Sequence, residues 1–125
     1  MSFPQPKVVT YKAGAAISRG MAVKYGADKE HVVKAAANTD RCFGIALNDA
    51  ASAEDLVEVA LPGGGAYALL SENVGAGKDL CAHTDGSLAI VNAEGDQIVA
   101  RALEDGSSGA LVPVLVYFAT AHASQ

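Results

Sequence analysis

The chain has 125 residues, half of them hydrophobic, and a formal net charge of −5 with a pI near 5.0. This length suits one domain, and the acidic balance argues against a nucleic-acid partner, because displacing counterions from phosphates requires a basic surface. No apolar run approaches the roughly 18 residues that span a bilayer, and the N-terminus lacks the basic and apolar regions of a signal peptide, so we expect a soluble protein made in the cytoplasm.

The hydrophobic half of the composition consists largely of small residues. Gly adds 13 positions, while the chain has four Tyr, three Phe and no Trp. Small side chains bury less apolar area than large ones, so each core position contributes less to stability. We therefore expect partners to supply part of the stability.

The first segment, residues 1–10, is predicted to be an extended arm. Pro4 and Pro6 fix their own φ angles and bias the residues before them toward extended backbone, which disfavours a helix or a central strand. Phe3 and Val8 give the segment an apolar character. Two interpretations stay open: a disordered terminus, or an arm that docks on a neighbouring subunit by adding a strand or filling a groove.

Short predicted strands follow the arm. Gly20 marks a turn, and the alternating apolar residues over 21–25 predict a strand. Gly44 allows a close backbone approach or a bulge at the start of the next apolar segment, residues 44–49. Beyond a loop, residues 56–61 alternate between two faces, which is typical of a half-buried antiparallel strand.

The sequence of this region recurs later in the chain. Residues 44–61 are matched by residues 100–116, at an offset of 56 residues before the loop and 55 after it, and Gly77 matches Gly20 at an offset of 57. A repeat used twice predicts a pseudo-symmetric compact domain, whereas a solenoid needs about three or more copies. The two units span about 15–62 and about 72–118, with a connecting strand at 66–70.

Residues 28–37 carry two conflicting signals. Asp28 is a suitable helix N-cap and Asn38 a suitable stop, which favours a helix. The repeat instead aligns this segment with residues 87–92, which follow a turn and alternate like a strand. We let the repeat decide and predict a strand over residues 31–36.

Many short strands separated by Gly-rich turns, at intervals of about 8 to 12 residues, predict an all-β fold. We expect a small barrel or sandwich that occupies residues 11–118 as one domain, followed by a frayed tail at 119–125. Pro113 lies in the last strand. Because Pro lacks an N–H group, this position should be on an edge or where no ladder donor is needed.

No set of residues supports catalysis. The segment from Gly75 to Asp79 differs from a phosphate-binding loop, because Glu72 stands where that motif needs Gly and Asp79 where it needs Ser or Thr. Cys81 and His83 are too few for zinc, which takes about four ligands, and a structural pair is favoured. We therefore expect no enzyme activity, no cofactor and no metal site.

Clustered carboxylates occur in two loops. Asp49, Glu54 and Asp55 lie in the first loop, and Glu104 and Asp105 lie in its repeat. Such a group can hold a cation, but solvated loop charge is the favoured interpretation.

The chain has two cysteines, Cys42 and Cys81. A disulfide between them is one possibility. A reducing compartment disfavours it, so we expect two buried free thiols.

Several of these features follow one another in a distinctive order. An extended arm precedes a turn at 17–23, then residues 42–47 with an Ala- and Asp-containing loop, then 57–59 and a Gly-rich turn before Tyr67. This order resembles the capsid decoration (cement) proteins of tailed bacteriophages, which include the lambda-like head decoration proteins. The resemblance covers nearly the whole chain and depends on Gly and apolar positions.

The resemblance implies a small β-tulip or barrel-like domain that assembles as a homotrimer on the outer surface of the phage head. It implies a structural virion protein that binds the outside of the capsid and stabilises the head by bridging major capsid protein subunits. It also implies that the N-terminal arm lies over the major capsid protein. Residues 1–10 precede unit one and have no counterpart ahead of unit two. For this reason the residues expected to form the capsid-binding arm are Phe3, Pro4, Pro6, Val8, Val9 and Tyr11.

The turn at 17–23 is also similar to the opening turn of SAF-type β-clip modules, which bind sugars or act as subunits beside an enzyme. This alternative predicts a pocket with convergent polar groups on the domain. Glycan binding by a monomer would favour it, and a trimer would favour decoration.

Overall fold

The computed structural model describes residues 7–93 and 95–120. Within those residues it contains ten β-strands and no helix, which confirms the prediction of an all-β, barrel-like domain. The strands are β1 (Val8–Ala13), β2 (Ala22–Tyr25), β3 (His31–Lys34), β4 (Gly44–Ala46), β5 (Leu56–Ala60), β6 (Gly65–Leu69), β7 (Asp79–Ala82), β8 (Leu88–Ile90), β9 (Gln97–Ala102) and β10 (Leu111–Thr120).

The first five strands form a closed barrel in the order β1-β3-β2-β4-β5. Antiparallel ladders join β3 to β2, β2 to β4, β4 to β5 and β5 to β1. The barrel closes where β1 runs parallel to β3, with Ala13 opposite Val32. Its interior is filled by branched side chains such as Val23, Val57 and Val59.

The last five strands repeat this arrangement as a sheet in the order β6-β10-β9-β7-β8. Each strand of the sheet has a counterpart with the same neighbours in the first barrel. Leu70 forms a parallel bridge with Leu88, at the place where β1 and β3 close the first barrel.

Equivalent hydrogen bonds support the predicted repeat. The Arg19 N–H donates to the Asp49 carboxylate at 2.7 Å, and the Ala76 N–H donates to Asp105 at 2.8 Å. Gly20 and its repeat partner, Gly77, both have left-handed backbone, with φ of 90° and 88°. These two loop carboxylates therefore hold the turn at the start of each unit.

The repeat begins earlier than the sequence indicated. β1 lies along β5 with Lys12 opposite Leu56, and β6 lies along β10 with Leu69 opposite Leu111. The expectation that the segment before unit one has no counterpart is therefore wrong for residues 8–10, which belong to β1. At the other end, residues 119–120 pair with β9 rather than fraying.

The conflict over residues 28–37 is resolved in favour of a strand, because β3 (His31–Lys34) forms ladders with both β1 and β2. Pro113 meets the second of its two predicted conditions, since β10 lies between β6 and β9 and is not an edge strand. In unit one the equivalent Glu58 N–H donates to the Asn48 side chain, not to a strand. Pro113 therefore costs the ladder no hydrogen bond.

The two units pack into one body. Small residues of the first barrel, including Ala22 and Ala60, share a buried core with the interior of the second unit. The Leu69 N–H donates to the Gly20 carbonyl at 2.9 Å, and a Cβ on Gly20 would lie 2.6 Å from that nitrogen. Small side chains at these positions therefore let the two units approach closely.

Cys42 and Cys81 are both buried and free, as predicted. Burial raises the pKa of the Cys42 thiol to about 12 and that of Cys81 to about 11. Both thiols are therefore protonated and unreactive at neutral pH.

Candidate functional site

Three aromatic side chains lie at one end of the first barrel, where β1, β3 and β4 begin and β2 and β5 end. We call Tyr11, Tyr25 and Phe43 the aromatic mouth. The rings of Tyr25 and Phe43 stack with centroids 4.3 Å apart, and Tyr11 meets Phe43 edge to face at 5.3 Å. Tyr25 is 51% exposed, so the cluster forms a solvent-accessible surface.

The chemistry of the aromatic mouth is that of a contact surface. The two tyrosine hydroxyls lie 3.4 Å apart. That hydrogen bond, followed by burial, raises the pKa of Tyr11 to about 12. The mouth therefore offers apolar rings and hydroxyl groups, a combination suited to binding an apolar segment with a few polar groups.

The fold itself does not require these aromatic residues. The ladder positions of unit two that match them hold Ala68, Ala82 and Val99, and all three are buried. Nothing in the sequence patterns singled out the cluster, although comparison of the two units would have shown aromatic residues in one and small residues in the other. The mouth is a feature of the first barrel alone.

Three of the six residues predicted to bind a capsid, Val8, Val9 and Tyr11, lie on β1. Val8 and Val9 are about 40% exposed but lie within β1, opposite Ala60 and Val59 of β5. Tyr11 is part of the aromatic mouth. Phe3, Pro4 and Pro6 lie outside the described residues, and the capsid-binding role of all six residues stays a prediction.

A second apolar surface covers the outside of the second sheet. Tyr67, Leu103 and Leu111 are between 39% and 49% exposed, and Tyr67 lies opposite Pro113. The matching pair in unit one is Thr10 opposite Glu58, which is polar. We call the surface formed by Tyr67, Leu103, Leu111 and Pro113 the apolar face.

A polar pocket of about 500 Å³ lies beside the β7–β8 hairpin. Its lining includes Asp96, 1% exposed, which accepts hydrogen bonds from the Asn38 amide and from the N–H groups of Asn92 and Ala93. Glu72 lines the pocket and accepts a hydrogen bond from the Ile90 N–H at 2.8 Å. The predicted pair Cys81 and His83 lines this pocket too.

Neither a metal-binding cluster nor a helix of membrane-spanning length occurs in the described part of the chain. There, no three or more His, Cys, Asp and Glu side chains come together in a way that could hold a metal ion. Nor does any helix of sufficient length and apolar character to cross a bilayer occur among those residues.

His31 is held between two carboxylates. Its Nδ1 lies 2.8 Å from Asp28, and its Nε2 lies 2.8 Å from Glu54, which has an unusual positive φ of 73°. The hydrogen bond to Asp28, followed by that to Glu54, raises the pKa of His31. The hydrogen bond to His31 in turn lowers the pKa of Asp28. We call these three residues the histidine clasp; it ties the loop before β5 to the start of β3.

The clasp predicts that stability depends on pH. Because the pKa of His31 is raised by folding, its contribution is complete below the unfolded value, near 6.5, and is lost as the pH rises through the folded value. We expect the melting temperature to fall over that interval, and to fall less in His31→Gln. Melting curves from pH 5 to pH 9 measure this, with His83→Gln as the control that keeps the native profile. An unchanged profile in His31→Gln would contradict the assignment.

Comparison with known proteins relates this chain to others by structure and not by sequence. No protein-family model matches the sequence, and no curated protein matches it. Among solved structures, the chain is similar to the N base of the head fiber gp8.5 of bacteriophage phi29, with a TM-score of 0.71 over 93% of this chain and 98% of that chain. The two chains share a fold. At 17% sequence identity, the similarity to the phi29 head fiber base concerns the architecture alone.

Proposed function

We propose that this protein is a structural component of a bacteriophage head, located on the outer surface of the capsid. The observation that carries the proposal is the shared fold with the base of a phage head fiber, over nearly the full length of both chains. The net charge of −5 agrees with an external position, because an acidic surface is unsuited to packaged DNA.

In this proposal the protein stabilises the head mechanically and has no catalytic role and no cofactor. The N-terminal arm, with Phe3, Pro4 and Pro6 ahead of Val8 and Val9, contacts the major capsid protein. Three copies associate, and the apolar face gives each copy a surface to bury against another. Each assembly then bridges neighbouring capsid subunits, and many weak contacts repeated over a shell add up by multivalency.

Deletion of residues 2–6 tests the proposed attachment. We expect the truncated protein to keep its melting temperature within a few degrees and to lose attachment to DNA-free heads of its phage. Co-sedimentation through a sucrose cushion measures the loss. Undiminished attachment would remove the arm from the proposal.

The placement of β1 determines where this deletion must stop. Removing residues 2–10 would also remove three residues of β1 that pair with β5, so that variant is expected to lose the closed barrel. It therefore cannot distinguish a missing contact from an unfolded domain. A matched control is Lys12→Gln, which changes an exposed side chain on the same strand and should attach normally.

A second candidate function is supported by the polar pocket. A SAF-type binding module is expected to carry a pocket with convergent polar groups, and the pocket beside β7 and β8 offers Glu72, His83, Asn92 and Asp96. Under this proposal the protein is a monomer that binds a sugar. Glycan binding that disappears in Glu72→Gln, together with a monomeric mass, would favour the module over the capsid protein.

A further inference from the structure

The aromatic mouth lies where the chain enters the domain. β1 begins at Val8, and the Lys7 carbonyl accepts a hydrogen bond from the Leu61 N–H at 2.7 Å, just beyond the end of β5. Phe43 immediately precedes β4, the strand on the other side of β5. The described chain therefore begins, at Lys7, near the rim of the mouth.

The segment before β1 is long enough to reach the aromatic mouth. Lys7 and Phe43 are separated by about two strand spacings, which is roughly 10 Å. The four residues from Lys7 back to Phe3 span at most about 14 Å when extended. The ring of Phe3 can therefore reach the mouth of its own chain without any change in the barrel.

The chemistry of the segment also matches the mouth. Residues 3–6 read Phe-Pro-Gln-Pro. Proline-rich segments favour the polyproline II conformation, lose little entropy on binding, and are bound by grooves lined with aromatic side chains. The mouth presents three such rings, of which Tyr25 is half exposed although apolar contacts would favour its burial.

We infer that, in the protein free of capsid, the aromatic mouth is the docking site for residues 3–6 of the same chain. The segment leaves the mouth when it makes the capsid contact proposed above. Phe3 packs against the stacked rings of Tyr25 and Phe43, and Pro4 and Pro6 follow the rim. Attachment to the chain keeps the segment at a high effective concentration beside the mouth, so even weak contacts fill it. The inference rests on the mouth and the segment, and its test uses no capsid, so it can fail independently of the proposed function.

The absence of tryptophan from the chain allows a direct test with Phe3→Trp, because this residue is then the only tryptophan. We expect its fluorescence to be blue-shifted and its quenching by acrylamide to be several-fold weaker than in a free peptide of residues 1–6 carrying the same substitution. Adding Tyr25→Ser should return both readings to those of the peptide. Adding Tyr67→Ser, an equally exposed tyrosine on the apolar face, should leave them unchanged.

Two controls accompany this test. One checks that the Tyr25 variant is folded, and the other checks whether the segment docks into another copy of the chain. Tyr25 is half exposed, so its replacement should leave the β-sheet circular dichroism spectrum intact. The Phe3→Trp, Tyr25→Ser chain is then refolded with an excess of native chain. A tryptophan that stays exposed supports docking within one chain, whereas recovered burial would show that the segment enters the mouth of another copy. That result, or an exposed tryptophan in Phe3→Trp alone, would overturn the inference.

Discussion

Replacing Gly44 by alanine is expected to lower the free energy of unfolding by about 3 kcal/mol, at the upper end of the usual cost of overpacking. A Cβ on Gly44 would overlap the Ala60 carbonyl oxygen and the Val59 Cγ1. The carbonyl belongs to the backbone of β5 and cannot turn aside, so β4 and β5 would have to separate inside a closed barrel. Urea unfolding followed by circular dichroism measures the change.

Gly109→Ala is the matched control for this prediction. A Cβ at this position has nothing within 4 Å, although its φ of +84° disfavours alanine. Its cost should be about 1 kcal/mol, which is the strain of a left-handed residue without any clash. Equal losses in the two variants would show that the approach of β4 to β5 is not as close as described.

Replacing Asp96 by alanine is expected to cost about 4 kcal/mol, more than the equivalent Asp40→Ala. The two aspartates occupy matching positions, and each accepts hydrogen bonds from two backbone N–H groups of the preceding turn. Asp96 is 1% exposed, and its loss removes three partly buried hydrogen bonds, from the two N–H groups and from the Asn38 amide, at about 1–1.5 kcal/mol each.

The side chain of Asp40 is 21% exposed and pairs with Lys24 at 2.9 Å, so water can replace it. We expect Asp40→Ala to cost about 1 kcal/mol, in the range of partly exposed ion pairs and hydrogen bonds. Thermal melts of the two variants at pH 7 compare them directly. A larger loss for Asp40 would contradict the structural role assigned to the buried carboxylate of unit two.

The repeat was the part of the fold that the sequence predicted best. Matching apolar positions and turn glycines recur at a nearly constant offset, and they correctly predicted a strand within residues 28–37. It was predicted over residues 31–36 and is observed as β3, His31–Lys34. Local helix signals at Asp28 and Asn38 failed because β1 and β2 supply ladder partners on both sides of β3. Tertiary pairing outweighed local propensity there.

The first strand could not be predicted from the same comparison. β1 and β6 occupy equivalent positions in the two units but have almost no sequence in common: β1 reads VVTYKA and β6 reads GAYAL. The two prolines just before β1 also favoured an arm over a strand. The segment predicted to be an arm, residues 1–10, therefore contains the first three residues of the strand that closes the barrel.

The candidate site was only partly predictable. The exposed valines of β1 were identified from their apolar character, whereas the aromatic mouth joins Tyr11, Tyr25 and Phe43 from three separate segments. The histidine clasp likewise joins His31 to Glu54, 23 residues away in a loop. Such contacts depend on barrel closure, and no local pattern encodes them.

The proposed place of this protein on the outside of a phage head is tested most directly by mixing the native chain with DNA-free capsids of its phage and measuring the bound protein after sedimentation. The account predicts saturable binding at a fixed number of copies per capsid, together with greater resistance of the bound capsids to heat. Protein that remains in the supernatant at every concentration, while still folded, would contradict it.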